Sequence, residues 1–487
     1  MASLARRPFH ANHAPFEDRQ DDPLAKVLLP PPNESPEQRA FREHQQREAT
    51  RVSVEIDELL QEDRKAYERR KKAVKVLLLG QAESGKSTTL KNFQLAFSPA
   101  HFRNERLAWR TIIQLNLIRS LKTLLEIMQD EMASPTEAPP PPPQPITQPQ
   151  SAAPLTDVHR GARKRLLPLL LIEAELTRKL FPELAASASP PGSAAPSPVP
   201  GMPGVKEVCV RAGNGWKEVL AALQKEKRGK GATSPTEELT AVLDACREDI
   251  VSMWEDQAVK GMLRRRNVRL QDMPGFFLND TNRVASASYE PTDDDIVRAR
   301  LRTFGVEEHR FTMESGASGS EWYIYDVGGS RSMRPHWIPY FDDVQAIIFL
   351  APLAFNLMLE EDSKVNRLED SITLWREICK NPLLEGATLI LFFNKASGAM
   401  DILQATLANG VKVQKFVTSY ENHPNDVTSV VKYFRDKFKG YHKRFSPKPR
   451  PFYCHETSVI DTRATAVILV GVREGILRAH LQSVNVI

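Results

Sequence analysis

The residues with the clearest capacity for chemistry are Gly80-Gln81-Ala82-Glu83-Ser84-Gly85-Lys86-Ser87, which fit the spacing G-x-x-x-x-G-K-[ST]. The two glycines let backbone amides wrap around phosphate oxygens, and a helix opening at Ser87 adds free amides and a partial positive charge. Lys86 can reach β- and γ-phosphates, and Ser87 can offer a hydroxyl to Mg²⁺, a hard cation that prefers oxygen. An ordinary glycine-rich turn is disfavoured by context, because a buried-strand run precedes the motif and a helical stretch, Ser87 to Phe93, follows it. Asp326-Val327-Gly328-Gly329 is the natural second half. A carboxylate at the C-terminal end of a parallel strand can hold Mg²⁺ through water, and a glycine beyond it can give its amide to a γ-phosphate. Alone, that tetrapeptide is a plain strand exit; with the upstream phosphate loop it gains weight.

The elements that must position these residues follow from hydrophobic patterning. Val74 to Leu79 is a short β-branched and leucine run of the kind buried on both faces of a parallel sheet, and similar runs recur at Trp322 to Tyr325, Val344 to Leu350 and Leu389 to Phe393. Helical stretches separate the later runs, so the fold class is α/β with a mostly parallel sheet. The chain from about Pro99 to Asp295 differs in character. Amphipathic patterns at Arg106 to Met132, Leu166 to Leu180 and Glu237 to Met262 predict an inserted all-helical domain spanning 99–295. Within it, 134–154 and 186–204 are proline-rich and cannot be helical, since proline removes an amide donor. They read as solvated spacers or as ligands for proline-binding modules. Residues 1–35 lack periodicity and are expected to be disordered. Pro36 to Lys72 predicts a long exposed helix, with Val52, Ile56, Leu59 and Leu60 on one face that is either a docking stripe or simply solvated.

Bulk properties exclude several classes. At 487 residues the chain exceeds what one core usually organises. No run of about 18 apolar residues occurs, and the basic start at Met1 has no secretory pattern, so a cytoplasmic location is expected. Cys209, Cys246, Cys379 and Cys454 lie far apart and read as reduced thiols, not as a zinc site or a disulfide framework. A net charge of +5 is too small to indicate nucleic acid, though it permits contact with an anionic membrane surface.

From about Val52 to Ile487 these residues resemble the α subunits of heterotrimeric G proteins, in a divergent fungal-type form. The phosphate loop is similar to the family's G-x-G-E-S-G-K-S-T, with Glu83, Ser84, Gly85, Lys86, Ser87 and Thr88 intact and Ala82 in place of the second glycine. Asp295 to Thr303, which includes Val297 and Arg298, resembles the first switch. The resemblance implies Arg300 as an arginine finger supplied in cis, Thr303 as a second Mg²⁺ hydroxyl and Glu83 as an ion-pair partner of a switch arginine. Asp326 to Trp337, with Gly329, resembles the second switch. Leu270-Gln271-Asp272 resembles the closing stretch of the family's helical domain and would place Asp272 near the nucleotide. Asn394-Lys395 resembles the guanine motif N-K-x-D, and Val459 stands where the family gives a backbone amide to guanine. The likeness implies a Ras-like P-loop GTPase domain with a six-stranded sheet, formed by 73–98 and 296–487. It also implies GTP or GDP with Mg²⁺, a βγ dimer, a seven-helix receptor and an effector.

The departures shape the functional expectation. Ser330 occupies the place of the glutamine that orients the attacking water, and it is too short to reach, so hydrolysis is expected to be slow. Ser397 replaces the aspartate that pairs with guanine, so base selectivity is expected to be weak; Asp401 sits at the wrong offset to substitute. Ala2 in place of glycine excludes N-myristoylation, leaving βγ or the basic cluster Arg69 to Lys72 as means of reaching the inner face of the plasma membrane. The tail Leu481 to Ile487 keeps apolar final residues without a cysteine fourth from the end. Two functions stay open: a slow GTP-hydrolysing switch, and a pseudo-GTPase acting through its helical surfaces; a third, an ATP-using P-loop enzyme, lacks any substrate-domain signature.

Overall fold

The computed structural model describes residues 33–133, 154–180, 209–211, 216–225, 234–266, 268–312, 321–359, 361–394, 402–421, 423–457 and 462–483. The chain divides into two compact units, one ending at Arg70 and the other beginning at Lys71. The first is essentially helix α1, Pro36–Lys72. Ser35 starts it with a reciprocal cap, its hydroxyl accepting from the Gln38 amide while the Gln38 side chain accepts from the Ser35 amide. Its apolar residues Val52, Ile56, Leu59 and Leu60 are exposed, and ion pairs such as Arg39–Glu43 and Arg64–Glu68 lie along its length.

The second unit begins with β1 (Val74–Gly80), α2 (Lys86–Phe97) and α3 (Pro99–Asn104). It continues through α4 (Arg106–Ala133), α5 (Asp157–Leu180), β2 (Cys209–Arg211) and α6 (Trp216–Lys225). Next come α7 (Pro235–Ala245), α8 (Arg247–Glu255), α9 (Gln257–Arg265), α10 (Thr281–Val284) and α11 (Asp293–Arg298). Strands β3 (Arg302–Phe304), β4 (Val306–Thr312), β5 (Glu321–Val327) and β6 (Ala346–Pro352) follow. The chain finishes with α12 (Arg367–Lys380), β7 (Thr388–Asn394), α13 (Ile402–Ala408), α14 (Val427–Phe445), β8 (Phe452–Thr457) and α15 (Thr462–Ser483).

Six strands form one sheet in the order β4-β5-β1-β6-β7-β8, parallel throughout except for the antiparallel β4–β5 pair. Alternation along the central strands explains why they read as continuous apolar runs. Leu77 and Leu79 face one core with Ile347, Phe349, Trp375 and Phe438, whereas Val76 and Leu78 face the other with Leu90, Phe93, Leu469 and Val472. Helices α12 and α14 therefore cover one face, and α2 and α15 the other. The edge strands β4 and β8 were not among the apolar runs. Val306-Glu307-Glu308-His309-Arg310 is polar because only one of its sides is paired.

A separate apolar cluster runs from Phe102 to Ala299, centred on α4, whose Ile112, Leu115, Leu121 and Leu124 are fully buried. Two details are added to the expectations here. The helical pattern over Glu237 to Met262 is divided among three helices: Cys246 separates α7 from α8, and Asp256 separates α8 from α9 and caps α9 by accepting from the Ala258 and Val259 amides. The inserted region is helical as expected, with one short strand added: β2 pairs in parallel with β3, Cys209 opposite Arg302 and Arg211 opposite Phe304. Three residues in a proline- and glycine-rich stretch show no strand periodicity; what makes them a strand is the backbone they pair with. The expected proline-rich segments and most of residues 1–35 lie outside the described residues.

Phe438 is buried within contact of Trp375, Phe349 and Phe393, with ring centroids 5.8, 6.5 and 5.5 Å away. Phe438→Ala is expected to destabilise the sheet unit by about 3–5 kcal/mol, read as a lowered denaturant midpoint.

Candidate functional site

The phosphate loop leaves β1 at Gly80, whose φ of 143° lies where side chains are rarely accommodated and where a Cβ would come within 2.5 Å of the Leu350 carbonyl oxygen. Only glycine fits this exit. Glu83 holds a left-handed φ of 58° and Gly85 one of 97°, and Gly85 then serves as N-cap of α2 with no side chain satisfying the first amides. The loop is therefore a concave run of backbone donors at a helix N-terminus.

Lys86 is buried, and its Nζ donates to the carbonyls of Gly80 at 3.0 Å and Gln81 at 2.6 Å. Burial pushes its pKa down to about 8; Arg300, Arg334 and Arg367 act in the same direction and Asp326 opposes them. Positive charge is thus concentrated on this turn.

Beside it lie three oxygens from three elements. Ser87 Oγ, in the first turn of α2, donates to Asp326 Oδ2 at 2.5 Å; Thr303 Oγ1, on β3, donates to the same oxygen at 3.0 Å; the two hydroxyls are 3.2 Å apart. Asp326 lies one residue before the end of β5 and is buried, and burial raises its pKa against the pull of Lys86. Its Oδ1 is buried with no partner among the described residues. Two hydroxyls and a carboxylate with a spare oxygen suit a hard divalent cation, which would offset the charge of the buried carboxylate, with a bound water able to reach the spare oxygen. No cluster of three or more His, Cys, Asp or Glu suited to a metal occurs among the described residues.

Arg300 projects toward the loop, its Nη2 being 3.7 Å from Glu83 Oε1. Glu83 is shared, since Arg367 at the start of α12 lies 3.5 Å from Oε2 and also donates to the Ala82 carbonyl at 2.8 Å. The Arg300 peptide is held from the helical side: Asn116 Oδ1 accepts from its amide at 2.6 Å and Asn116 Nδ2 donates to its carbonyl at 3.0 Å. Lys91 supports the preceding turn by donating to the Ile296 and Ala299 carbonyls, while its ammonium sits 4.4 Å from the Trp109 ring centre. Val297 is buried within that turn. Gly329 packs directly on the phosphate loop, where a Cβ would lie 2.3 Å from the Gln81 carbonyl carbon.

The sequence-predicted residues Glu83, Ser84, Gly85, Lys86, Ser87, Thr88, Arg300, Thr303, Asp326 and Gly329 come together around this loop. Arg298 does not. Its guanidinium donates to Asp280 and to the Phe276 carbonyl and lies over the Phe277 ring, so its charge is taken up on the helical side. Ser330 opens the turn after Gly329 with its hydroxyl 3.3 Å from that of Ser332. Asp272 ends a short 3-10 turn and Asn394 ends β7. Lys395, Ser397, Asp401 and Val459 lie outside the described residues. Asn116, Lys91, Arg334, Arg367 and Asp370 were not foreseen: each acts across tens to hundreds of residues, and only the oddity of a buried Asn116 within an apolar helix face hinted at a role.

Comparison with known proteins settles the family. The model of the G-protein alpha subunit matches residues 50–476. This chain belongs to that family. It is similar to the guanine nucleotide-binding protein alpha-4 subunit of Mycosarcoma maydis, 32% identical with 99% of this chain and 98% of that protein covered. It is also similar to the alpha-2 subunit of Neurospora crassa at 26% identity, covering 89% of this chain and 96% of that one. The G(o) alpha subunit of the sponge Geodia cydonium is 24% identical over 91% of this chain and 98% of its own length. As a G-protein alpha subunit, the chain has the Ras-like sheet domain and an inserted, mainly helical region.

The depressed Lys86 pKa gives a signed prediction. A phosphate anion binds the charged ammonium, which the free protein holds below about pH 8 and loses above it. Triphosphate affinity is expected to fall as pH rises beyond about 8, by up to about tenfold per pH unit. Isothermal titration between pH 7 and 9.5, with Lys86→Met as the reference lacking that dependence, measures it.

Proposed function

We propose that this chain is the guanine-nucleotide-binding alpha subunit of a heterotrimeric G protein, a switch whose GTP turnover is slow. The observation that carries the reading is the Ser87–Thr303–Asp326 cluster, built from three separate elements beside the buried Lys86. Ser87 and Thr303 would hold Mg²⁺ directly, with Asp326 holding it through water; the ion would offset charge on the phosphate oxygens. The loop amides and Lys86 bind the β- and γ-phosphates, Arg300 faces the charge that develops on the transferred phosphoryl group, and Gly329 offers its amide to the γ-phosphate. Asp272 and Val297 are assigned to the nucleotide side of the helical region, and Asn394, Lys395, Ser397 and Val459 to the base. Arg298 is assigned to holding the switch against the helical region.

Residues 73–98 and 296–487 constitute the GTPase domain in this reading, and 99–295 the inserted domain. The chain's partners in this reading are a βγ dimer and a seven-helix receptor, the receptor engaging the C-terminal tail. The protein works in the cytoplasm, held at the inner face of the plasma membrane by βγ and by basic residues. No helix among the described residues is long and apolar enough to cross a membrane.

Ser330 and Ser397 favour a second reading, a pseudo-GTPase that holds nucleotide without turnover. Serine at 330 leaves the attacking water without the amide that would orient it, and serine at 397 offers guanine one hydroxyl where a carboxylate would accept two donors. Titration with labelled GTP, GDP and ATP in Mg²⁺, then single-turnover hydrolysis, separates the two. Measurable γ-phosphate release supports the slow switch, and nucleotide binding with none supports the pseudo-GTPase. Ser330→Gln is expected to raise the hydrolysis rate at least about tenfold. Ser397→Asp is expected to raise the preference for GTP over ATP by about 10- to 100-fold, the equivalent of one charge-assisted bond pair.

A further inference from the structure

Gln81 stands inside the phosphate loop yet faces away from its concave side, and its contacts are unlike those of its neighbours. The side chain is fully buried. Its Nε2 donates to the Arg367 carbonyl at 2.6 Å and to Asp370 Oδ2 at 2.6 Å. Both partners are acceptors only, which fixes the orientation of the amide. Asp370, on the first turn of α12, is itself buried and receives a two-pronged grip from Arg334, Nη1 to Oδ1 at 3.0 Å and Nη2 to Oδ2 at 2.5 Å. Arg334 belongs to the 3-10 turn Arg331–Tyr340 that follows Gly329. One carboxylate oxygen thus serves both the phosphate loop and the segment after Gly329.

The main chain of Gln81 makes the complementary contacts. Its carbonyl accepts from Lys86 Nζ, and its peptide is the surface against which Gly329 packs. The residue therefore touches the second switch at its beginning, through backbone, and farther along, through Asp370 and Arg334. It also touches the lysine that a terminal phosphate would draw away. Ala82 also meets α12 and Gly329, but through backbone alone; Gln81 adds a side chain that reaches the carboxylate held by Arg334.

We propose that Gln81 is a positioning residue that couples the phosphate loop to the second switch by sharing Asp370 with Arg334. The proposal rests on the nucleotide-switch reading above and deepens it. A γ-phosphate that engages Lys86 and the Gly329 amide acts on a loop whose Gln81 side chain already steadies the carboxylate gripping Arg334, so docking of Arg331–Tyr340 on α12 and occupancy of the loop reinforce one another. Removing the amide loosens that carboxylate and uncouples the two.

The test is a double-mutant cycle on the full chain with Gln81→Ala, Arg334→Ala and the pair, with Gln81→Leu as a similarly sized variant that lacks the donor. The readout is the ratio of affinities for a non-hydrolysable GTP analogue and GDP in Mg²⁺, together with the emission change of Trp337, which lies in the same turn and whose Nε1 donates to the Gly328 carbonyl ahead of it. Each single substitution is expected to lower the affinity ratio about tenfold, and the pair to lower it no further than either alone. Additive losses in the pair, or a Gln81→Leu variant that weakens both nucleotides by the same factor, would overturn the coupling and leave Gln81 a packing residue. A chain that binds neither nucleotide would instead sink the nucleotide-switch reading. The coupling is then read from amide hydrogen exchange across residues 331–340: equal, non-additive deprotection in both singles upholds it, and unchanged protection in Gln81→Leu refutes it.

Discussion

Positive charge gathered on one turn of backbone is the constraint from which the rest of the site follows. Lys86 is buried against its own loop carbonyls, and Arg300, Arg334 and Arg367 all act on it in the same electrostatic sense. Charge of one sign in a partly desolvated space is costly without counter-charge, and the protein supplies it from separate elements. Asp326 comes from the end of β5, Glu83 from the loop itself and Asp370 from α12. Each carboxylate is held by a different cation or hydroxyl, so the positions of the switch segments are tied to the sharing of negative charge around a small volume. A polyphosphate brings more negative charge into that volume than the protein supplies, which is why its arrival can reorganise the partners of these arginines.

The sheet makes such a site possible because parallel strands deliver their C-terminal ends to one edge. Gly80 ends β1 and Asp326 sits near the end of β5, its neighbour in the sheet, which brings the phosphate loop and the carboxylate side by side. The helical region contributes in a different manner. Asn116 holds the Arg300 peptide through both its donor and its acceptor, while Lys91 reaches across from α2 to the turn before it. These contacts fix backbone at the entrance to the first switch and leave the Arg300 side chain facing Glu83. The β2–β3 pair adds a third restraint on the same stretch, from a segment without strand periodicity in its sequence.

Much of this was readable in sequence because it is local. The phosphate loop is a contiguous run whose glycine spacing reflects backbone geometry, and the central strands are buried on both faces, which imposes an unbroken apolar run. Helix α1 was legible over its full length for the complementary reason: charged residues at helical spacing with four isolated apolar positions fit no other element. The edge strands were less legible because an edge tolerates polar side chains. The break at Asp256 was missed because a capping residue and an ordinary surface acid look alike until the chain turns.

The sequence by itself pointed to a phosphate-binding loop with Lys86, Ser87 and Asp326, placed it in an α/β domain, and set Ser330 and Ser397 at the positions that the family resemblance ties to hydrolysis and base choice. Tertiary structure decided which charges face one another. It turned Arg298 toward Asp280 and Arg300 toward Glu83, although the two differ by only two positions in the chain. It also made a hub of Gln81, a residue at an unconstrained position of the motif, by bringing Asp370 from 289 residues away to within 2.6 Å of its amide. Pairings of that kind depend on how α12 packs beside the loop, and no local pattern of residue types encodes the distance between two elements so far apart along the chain.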